Sequence, residues 1–515
     1  MDSEKVIKRD NEYVLHTYNR SPVVLEKGHG LYAEGPEGQK YLDFTSGIGV
    51  NSLGYCDLAW AEAVSQQAHK LQHTSNLYYT APCGKLAKKL CKRTGMSKVF
   101  FGNSGAEANE GAIKAARKYS ADHYGKDRYN IITLVNSFHG RTLATLTATG
   151  QEVFHNYFGP FNEGFQYVPA GDIEALRELV DRHTCAVMME LIQGEGGVMA
   201  LDPDYVQAVR ALCDEKDLVL IVDEVQTGVG RTGTFLCCEH YNLKPDIVTL
   251  AKGLGGGLPI GAVLMNEKVA EGMGPGTHGS TFGGNPVVCA GANVVVDRLD
   301  QSFLAQVSER AVQLRTGLAK LPHVKNISGI GLMVGIEFFD VQAADVLAAC
   351  REKGLLVLTA KTRLRLLPPL TVSEHEVDMA LEVLAEVQNT VPNFTLKYDP
   401  EVTPDDFAEA AIRCSLACSN PALCSHPANR DTFDDYGVSS CYNILPIRGG
   451  AYTLTRVTLT RLVDDARGVE HFTEELLPEC LRLTADYMNE RIRFLVEQSG
   501  FFPSSFLVQE GLISA

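Results

Sequence analysis

The sequence predicts an α/β fold built on a mostly parallel sheet. From about residue 30 to 388, short apolar runs of strand length alternate with longer stretches of helical periodicity. The runs at 218–222 and 247–250 are apolar and rich in β-branched residues throughout, as strands covered on both faces must be. Each run leads directly into a side chain able to do chemistry, and open sheets of this class bind ligands at the carboxyl ends of their strands.

The elements follow in chain order. Strands are predicted at 98–101, 131–135, 186–192, 218–222 and 247–250, with helices between them that include 106–119 and 205–215. After Pro286 the pattern changes. One long helical stretch over 287–321 leads to a strand near 335–338, then strands at 355–358 and 363–367 and a helix over 373–388. That order predicts a smaller α+β domain at 286–388, with the N-terminal segment 1–45 packed on it and the large domain at 46–285. A boundary falls at Gln388-Asn389-Thr390-Val391-Pro392-Asn393. Beyond it, 389–515 forms a tail with its own cysteines and mainly helical patterns.

A chain of 515 residues is too long for one core, so two or three domains are expected. Hydrophobic residues make up 45% and charged residues 21%, ordinary for a globular protein. The net charge of −16 disfavours nucleic acid as a general partner. No apolar stretch approaches the ~18 to 20 residues of a membrane span, so no membrane partner is expected. The start, Met1-Asp2-Ser3-Glu4-Lys5, lacks the charged-then-apolar order of an export signal. The 14 cysteines have no regular spacing and several lie in apolar segments, which predicts free thiols in a reducing, cytoplasmic setting.

The chemistry concentrates at strand ends. Asp246-Ile247-Val248-Thr249-Leu250-Ala251-Lys252 delivers an amine, and Leu218-Val219-Leu220-Ile221-Val222-Asp223 delivers a carboxylate. An amine and an acid on neighbouring strand ends are what pyridoxal 5'-phosphate requires. The lysine holds the aldehyde covalently, and the acid keeps the pyridine nitrogen protonated so that the ring draws electrons. A lone buried acid is costly, and a pyridinium solves that problem. At ~4 Å and an effective dielectric near 20 the attraction has an upper bound of about 4 kcal/mol. Asp223 also reads as a helix cap or metal ligand, but no matching His or acid cluster supports a metal, so none is expected.

Four further segments add to this. Phe100-Phe101-Gly102-Asn103-Ser104-Gly105-Ala106-Glu107 reads as strand, turn and helix start, where the N–H groups of Ser104, Gly105 and Ala106 make a phosphate cradle. Standing alone, it also reads as an ordinary capped helix. Asn136-Ser137-Phe138-His139-Gly140-Arg141 offers an aromatic to stack on a flat ring and an Arg to clamp a carboxylate, or simply a loop with one packed Phe. His139 alone reads as a structural hydrogen-bonder. Glu190-Leu191-Ile192-Gln193-Gly194-Glu195 puts two acids at another strand end, with Arg363 and Arg365 as possible partners. Gly279-Ser280-Thr281-Phe282-Gly283-Gly284 is a polar glycine loop.

Together these segments resemble subgroup III of the aminotransferases that use pyridoxal phosphate, most closely its branch acting on acylated ornithine. The likeness covers about residues 13–388, in order. It implies a fold-type I transferase with a seven-stranded sheet in the large domain, and a homodimer with active sites at the subunit interface. It implies that Lys252 carries the cofactor, Asp223 meets the pyridine nitrogen, Gln226 approaches the ring hydroxyl and Phe138 stacks on the ring. Ser104, Gly105 and Ala106 would hold the phosphate with Thr281 from the other subunit. Arg141 would take the carboxylate far from the reacting amine. Arg365 would bind the α-carboxylate of glutamate, and Glu195 would cover it when the other substrate enters. The implied reaction moves the δ-amino group of N-acetylornithine to 2-oxoglutarate, as in arginine biosynthesis.

Succinylornithine and ornithine are the alternative donors, and a non-catalytic binding or scaffold protein is the alternative of another class. His73-Thr74-Ser75-Asn76-Leu77-Tyr78-Tyr79 and Ile48, where ornithine enzymes usually carry Tyr, are similar to the acylated-donor branch. Leu191 and Tyr55 depart from the family, which usually has Pro and His there. The tail resembles an internal stretch of an uncharacterised glycyl-radical enzyme family, with Cys441 in the place of a radical-carrying cysteine. The glycine loop of such enzymes is not found before Ala515, so a fragment without radical activity is expected. The spacing of Cys414, Cys418 and Cys424 fits neither zinc nor iron–sulfur patterns.

Overall fold

The computed structural model describes residues 2–339, 341–388 and 390, and the backbone of 441–447 and 450–457. The chain divides into two compact units, Met1–Asn393 and Phe394–Ala515.

The first unit begins with a helix, Ser3–Tyr13, followed by a ribbon of strands β1 (Lys27–His29), β2 (Tyr32–Glu34) and β3 (Lys40–Asp43). Next come β4 (Lys98–Gly102), β5 (Asn130–Leu134), β6 (Phe165–Val168) and β7 (Thr184–Met189). A small ribbon of β8 (Ile192–Gln193) and β9 (Met199–Ala200) precedes β10 (Val219–Asp223), β11 (Ile247–Leu250) and β12 (Gly261–Met265). Seven strands form the central sheet in the order β4-β12-β11-β10-β7-β5-β6. Pairing is parallel except at β12, which runs antiparallel to both neighbours.

Strands β7, β10, β11 and β12 are buried at every residue. The period of two divides their side chains between two cores. Val187, Met189, Leu220 and Val222 enter one, and Ala186, Met188, Val219 and Ile221 enter the other. Each such aliphatic side chain contributes about 1.5–3 kcal/mol by leaving water. The helix Gly105–Tyr124 covers the second core with Ala108, Ala112, Ala115 and Ala116. At Gly261 an added Cβ would stand 2.1 Å from Ser104 O, so only glycine lets β12 pass beneath the turn that starts this helix.

Strands β13 (Val324–Ser328), β14 (Val334–Phe338), β15 (Leu355–Leu356), β16 (Leu358–Ala360) and β17 (Arg363–Leu366) complete this unit. Four of them form an antiparallel sheet, β13-β14-β17-β16. β15 instead pairs with β3, extending the N-terminal ribbon to β1-β2-β3-β15.

The structure corrects three sequence expectations. The single helix over 287–321 is two, Pro286–Arg298 and Gln301–Leu318. Asp300 accepts from Phe303 N at 2.8 Å and restarts the helix, a capping bond that competes with continuation through Leu299. The strand over 186–192 ends at Met189, which frees Glu190 from the ladder. The run 355–358 is split, because its two halves pair with different sheets.

In the second unit, β18 (Cys441–Ile447) and β19 (Gly450–Val457) form an antiparallel hairpin. The helices predicted for the tail and Cys414, Cys418 and Cys424 lie outside the described residues. Among the described residues no cysteine is disulfide-bonded, no helix is long and apolar enough to cross a membrane, and no cluster of His, Cys, Asp and Glu could hold a metal.

Candidate active site

A cavity of about 460 Å³ opens at the carboxyl ends of the parallel strands. Lys252 and Asp223 both line it, delivered by adjacent strands whose register pairs Asp223 with Thr249.

Asp223 is 4% exposed. Its Oδ2 accepts from Asn109 Nδ2 at 2.7 Å and lies 2.8 Å from His139 Nδ1, while Oδ1 accepts from Val225 N at 3.0 Å. Thr249 donates to Asn109 Oδ1 at 2.8 Å and so orients the amide. The carboxylate that reads as lone within its own segment thus has fixed partners. The partners come from a helix and a loop distant in sequence, which spacing within one segment does not reveal. His139 Nε2 is buried without a partner.

Lys252 follows β11 with φ 41°, a left-handed conformation unusual outside glycine, at the start of the turn Lys252–Gly255. Among the described residues its ammonium has no hydrogen bond or ion pair within reach. Burial lowers its pKa from the ordinary lysine value of 10.5, while Glu195, Asp223 and Glu190 pull it back up. The outcome is an amine unusually ready to act as a nucleophile.

The phosphate-cradle segment has the predicted shape. Ser104 caps the helix by accepting from Glu107 N at 3.1 Å, which leaves its own hydroxyl proton free. The first-turn N–H groups of Gly105 and Ala106 have no acceptor within the helix and line the cavity. Glu107 is turned back onto Asn103 N and Nδ2, both at 2.8 Å, so its charge is engaged away from that mouth.

Phe138 and Arg141 line the same cavity on the loop after β5. Phe138 packs edge-on against Phe154 with ring centroids 5.6 Å apart, and the exposed Arg141 guanidinium lies 4.2 Å from the Phe154 ring. Phe154 escaped the sequence reading. It belongs to a short turn with no strand pattern.

Glu195 lines the cavity, and Arg365 stands behind it at 3% exposure. Their atoms Oε1 and Nη1 are 2.6 Å apart, with a second contact of 3.4 Å between Oε2 and Nη2. Burial raises the Glu195 pKa, but the Arg365 charge prevails and holds it below the usual range. Gln226 also lines the cavity, and its Oε1 lies 3.4 Å from Arg365 Nη1. Arg363 pairs instead with Glu337 at 2.7 Å and takes no part.

Besides Arg365, which meets the cavity only through Glu195, two predicted residues lie outside the lining. Thr281 is exposed and lies outside the lining. Ile48 is 43% exposed on a turn in which Ser46, Gly47, Ile48 and Gly49 all have positive φ, and Val50 reaches the cavity in its place. Asn109 was also missed, although it occupies the buried stripe of an alanine-rich helix, where a polar residue signals a partner.

A family model described as aminotransferase class-III matches residues 13–387, and one described as glycyl radical enzyme YjjI-like matches 373–515. The chain is 54% identical to the acetylornithine aminotransferase of Haemophilus ducreyi, over 75% of this chain and 99% of that protein. The ornithine aminotransferase structure from Toxoplasma gondii superposes with a TM-score of 0.72 at 34% identity, covering 76% of this chain and 96% of that one. N-acetylornithine aminotransferase from Stenotrophomonas maltophilia gives 0.65 at 36% identity, covering 75% and 98%.

Proposed function

The chain belongs to the class-III aminotransferases, and on that premise we propose that it moves the δ-amino group of N-acetylornithine to 2-oxoglutarate. It is an enzyme, and its cofactor is pyridoxal 5'-phosphate. When bound, the cofactor supplies an electron sink that carries an amino group from one carbon to another. Three features of the cavity fit it: an unpartnered amine, a carboxylate held by fixed donors, and first-turn N–H groups with no acceptor in their helix.

The proposed roles rest on the family and are supported by the residues that line the cavity. Lys252 Nζ would hold the cofactor, and it would move the proton that transfer requires, first as base and then as acid. Asp223, fixed by His139 and Asn109, would keep the pyridine nitrogen protonated. Ser104, Gly105 and Ala106 would hold the phosphate, with Phe138 and Gln226 as the residues that would meet the ring and its hydroxyl. Arg141 takes the substrate carboxylate distant from the reacting amine. With Glu195 paired to Arg365, the wall facing the acylated donor is neutral. With the pair open, Arg365 receives the α-carboxylate of glutamate or 2-oxoglutarate.

In the proposed division, 46–285 binds the cofactor, while 286–388 with 1–45 carries Arg365. The working form is a cytoplasmic homodimer in which Thr281 completes the phosphate site of the other subunit. Its exposure, beside the exposed Leu77, Tyr78, Tyr79 and Phe282, supports that arrangement. The tail 389–515 is proposed to take no part in amino transfer.

The observation that carries the reading is that Lys252, Asp223 and the Arg365-paired Glu195 share one cavity. The test compares rates with N-acetylornithine, succinylornithine, ornithine and 4-aminobutyrate, for the whole chain and for a chain ending at Gln388. N-acetylornithine is expected to be fastest in both. A strong preference for 4-aminobutyrate would overturn the substrate, and loss of activity on truncation would overturn the reading of the tail.

A further inference from the structure

Glu190 has no role in the reaction as set out above, yet it lies at its centre. It follows β7, is 6% exposed, and lines the cavity. Its two carboxylate oxygens accept from two different loops: Oε2 from Phe138 N at 2.9 Å, and Oε1 from Gly194 N at 3.3 Å. Phe138 opens the turn that carries Arg141, and Gly194 immediately precedes Glu195. One side chain therefore ties the segment that carries Arg141 to the segment whose Glu195 covers Arg365.

A second strap runs parallel to it, since Gln193 Nε2 donates to Val135 O at 2.8 Å. The loops are pressed close: a Cβ on Gly196 would stand 2.8 Å from Asn136 O, and one on Gly194 would stand 2.6 Å from Gln226 Oε1. At that approach, a small change in the strap moves Arg141 relative to Glu195.

We propose, resting on the transaminase reading, that Glu190 is a positioning residue that sets the spacing between the Arg141 and Glu195 segments, and with it the affinity for both carboxylated substrates. An ionised carboxylate offers a strong acceptor to both N–H groups. An amide in the same pose turns a donor toward one of them and loses that bond, and a protonated acid leaves only a weaker hydroxyl acceptor there. The charged and titratable groups facing Glu190 are His139 on the Phe138 loop, Asp223 on β10 and Lys252 after β11. Burial pushes the Glu190 pKa up to about 7, with Asp223 adding to the rise and His139 opposing it. The strap is therefore complete above neutral pH and released as pH falls through that value.

The experiment titrates the five-carbon dicarboxylate glutarate into the cofactor-loaded full chain by calorimetry from pH 6 to 8.5, for wild type and Glu190→Gln. Wild-type affinity is expected to weaken by about tenfold between pH 8 and pH 6, a change of about 1.4 kcal/mol. Glu190→Gln is expected to bind about tenfold more weakly at pH 8 and to show a flat profile. Binding in Glu190→Gln that matches wild type at pH 8, or that keeps the wild-type pH dependence, overturns the proposal. If that variant does not fold, a flat wild-type profile overturns it and a tenfold fall supports it. Absence of amino transfer by the wild type would instead overturn the transaminase reading, and the titration reads independently of it.

Discussion

Glu195 Oε1 lies 2.6 Å from Arg365 Nη1, and of the two residues only Glu195 lines the cavity.

Replacing Glu195 by Gln leaves the Arg365 charge unanswered when the acylated donor binds. The kcat/KM for N-acetylornithine is expected to fall about 10- to 100-fold, or about 1.4–2.7 kcal/mol, while that for 2-oxoglutarate changes by less than about threefold. Steady-state kinetics with each substrate varied in turn checks this. Equal losses for both substrates would contradict it.

Arg365→Lys keeps a positive charge but loses the planar fork that meets a carboxylate with two bonds. The KM for 2-oxoglutarate is expected to rise about 100-fold, the lower end of the cost of cutting a buried charge pair. A single turnover with N-acetylornithine alone should proceed at near wild-type rate. Stopped-flow absorbance separates the two half-reactions.

His139→Phe removes one of three donors to Asp223 while preserving bulk. The carboxylate then loses part of its fixed orientation, and kcat is expected to fall about tenfold with little change in either KM. Enzyme assays with both substrates saturating measure it. An unchanged kcat would show that Asn109 and Val225 N suffice.

The central strands, Lys252 and Asp223 were legible because β10 and β11 are uninterrupted apolar runs that lead into polar residues. A parallel sheet buried on both faces leaves no other reading for Val219–Asp223 or Ile247–Leu250. Arg365 was legible only as one of two arginines. Which of them meets Glu195 depends on where Glu337 stands in the neighbouring strand, and one sequence does not contain that. Asn109, Phe154 and the double strap of Glu190 were illegible for a related reason. Each acts across elements separated by tens of residues, while periodicity reports only on the element in which a residue sits. The break at Asp300 shows the same limit on a local scale, where one capping bond outweighs a continuous helical pattern.

Desolvation lowers the Lys252 pKa below 10.5, and Glu195 is the largest influence opposing that shift. A lowered lysine pKa means that the neutral, reactive amine appears at lower pH. The rate of pyridoxal 5'-phosphate capture by cofactor-free enzyme should therefore rise with pH around a midpoint below 10.5. In Glu195→Gln the midpoint should move lower still. Rapid-mixing absorbance across pH 6–10 tests both shifts, and a midpoint that rises in the variant would contradict the account.

The most direct test is the visible absorbance and turnover of Lys252→Ala beside the wild type, each loaded with pyridoxal 5'-phosphate. The account predicts that the wild type shows the band of covalently held cofactor and transfers amino groups. The variant should lose that band and at least about a thousandfold in kcat, the scale on which a residue acting as both nucleophile and proton carrier contributes. A variant that keeps both the band and the turnover would contradict it.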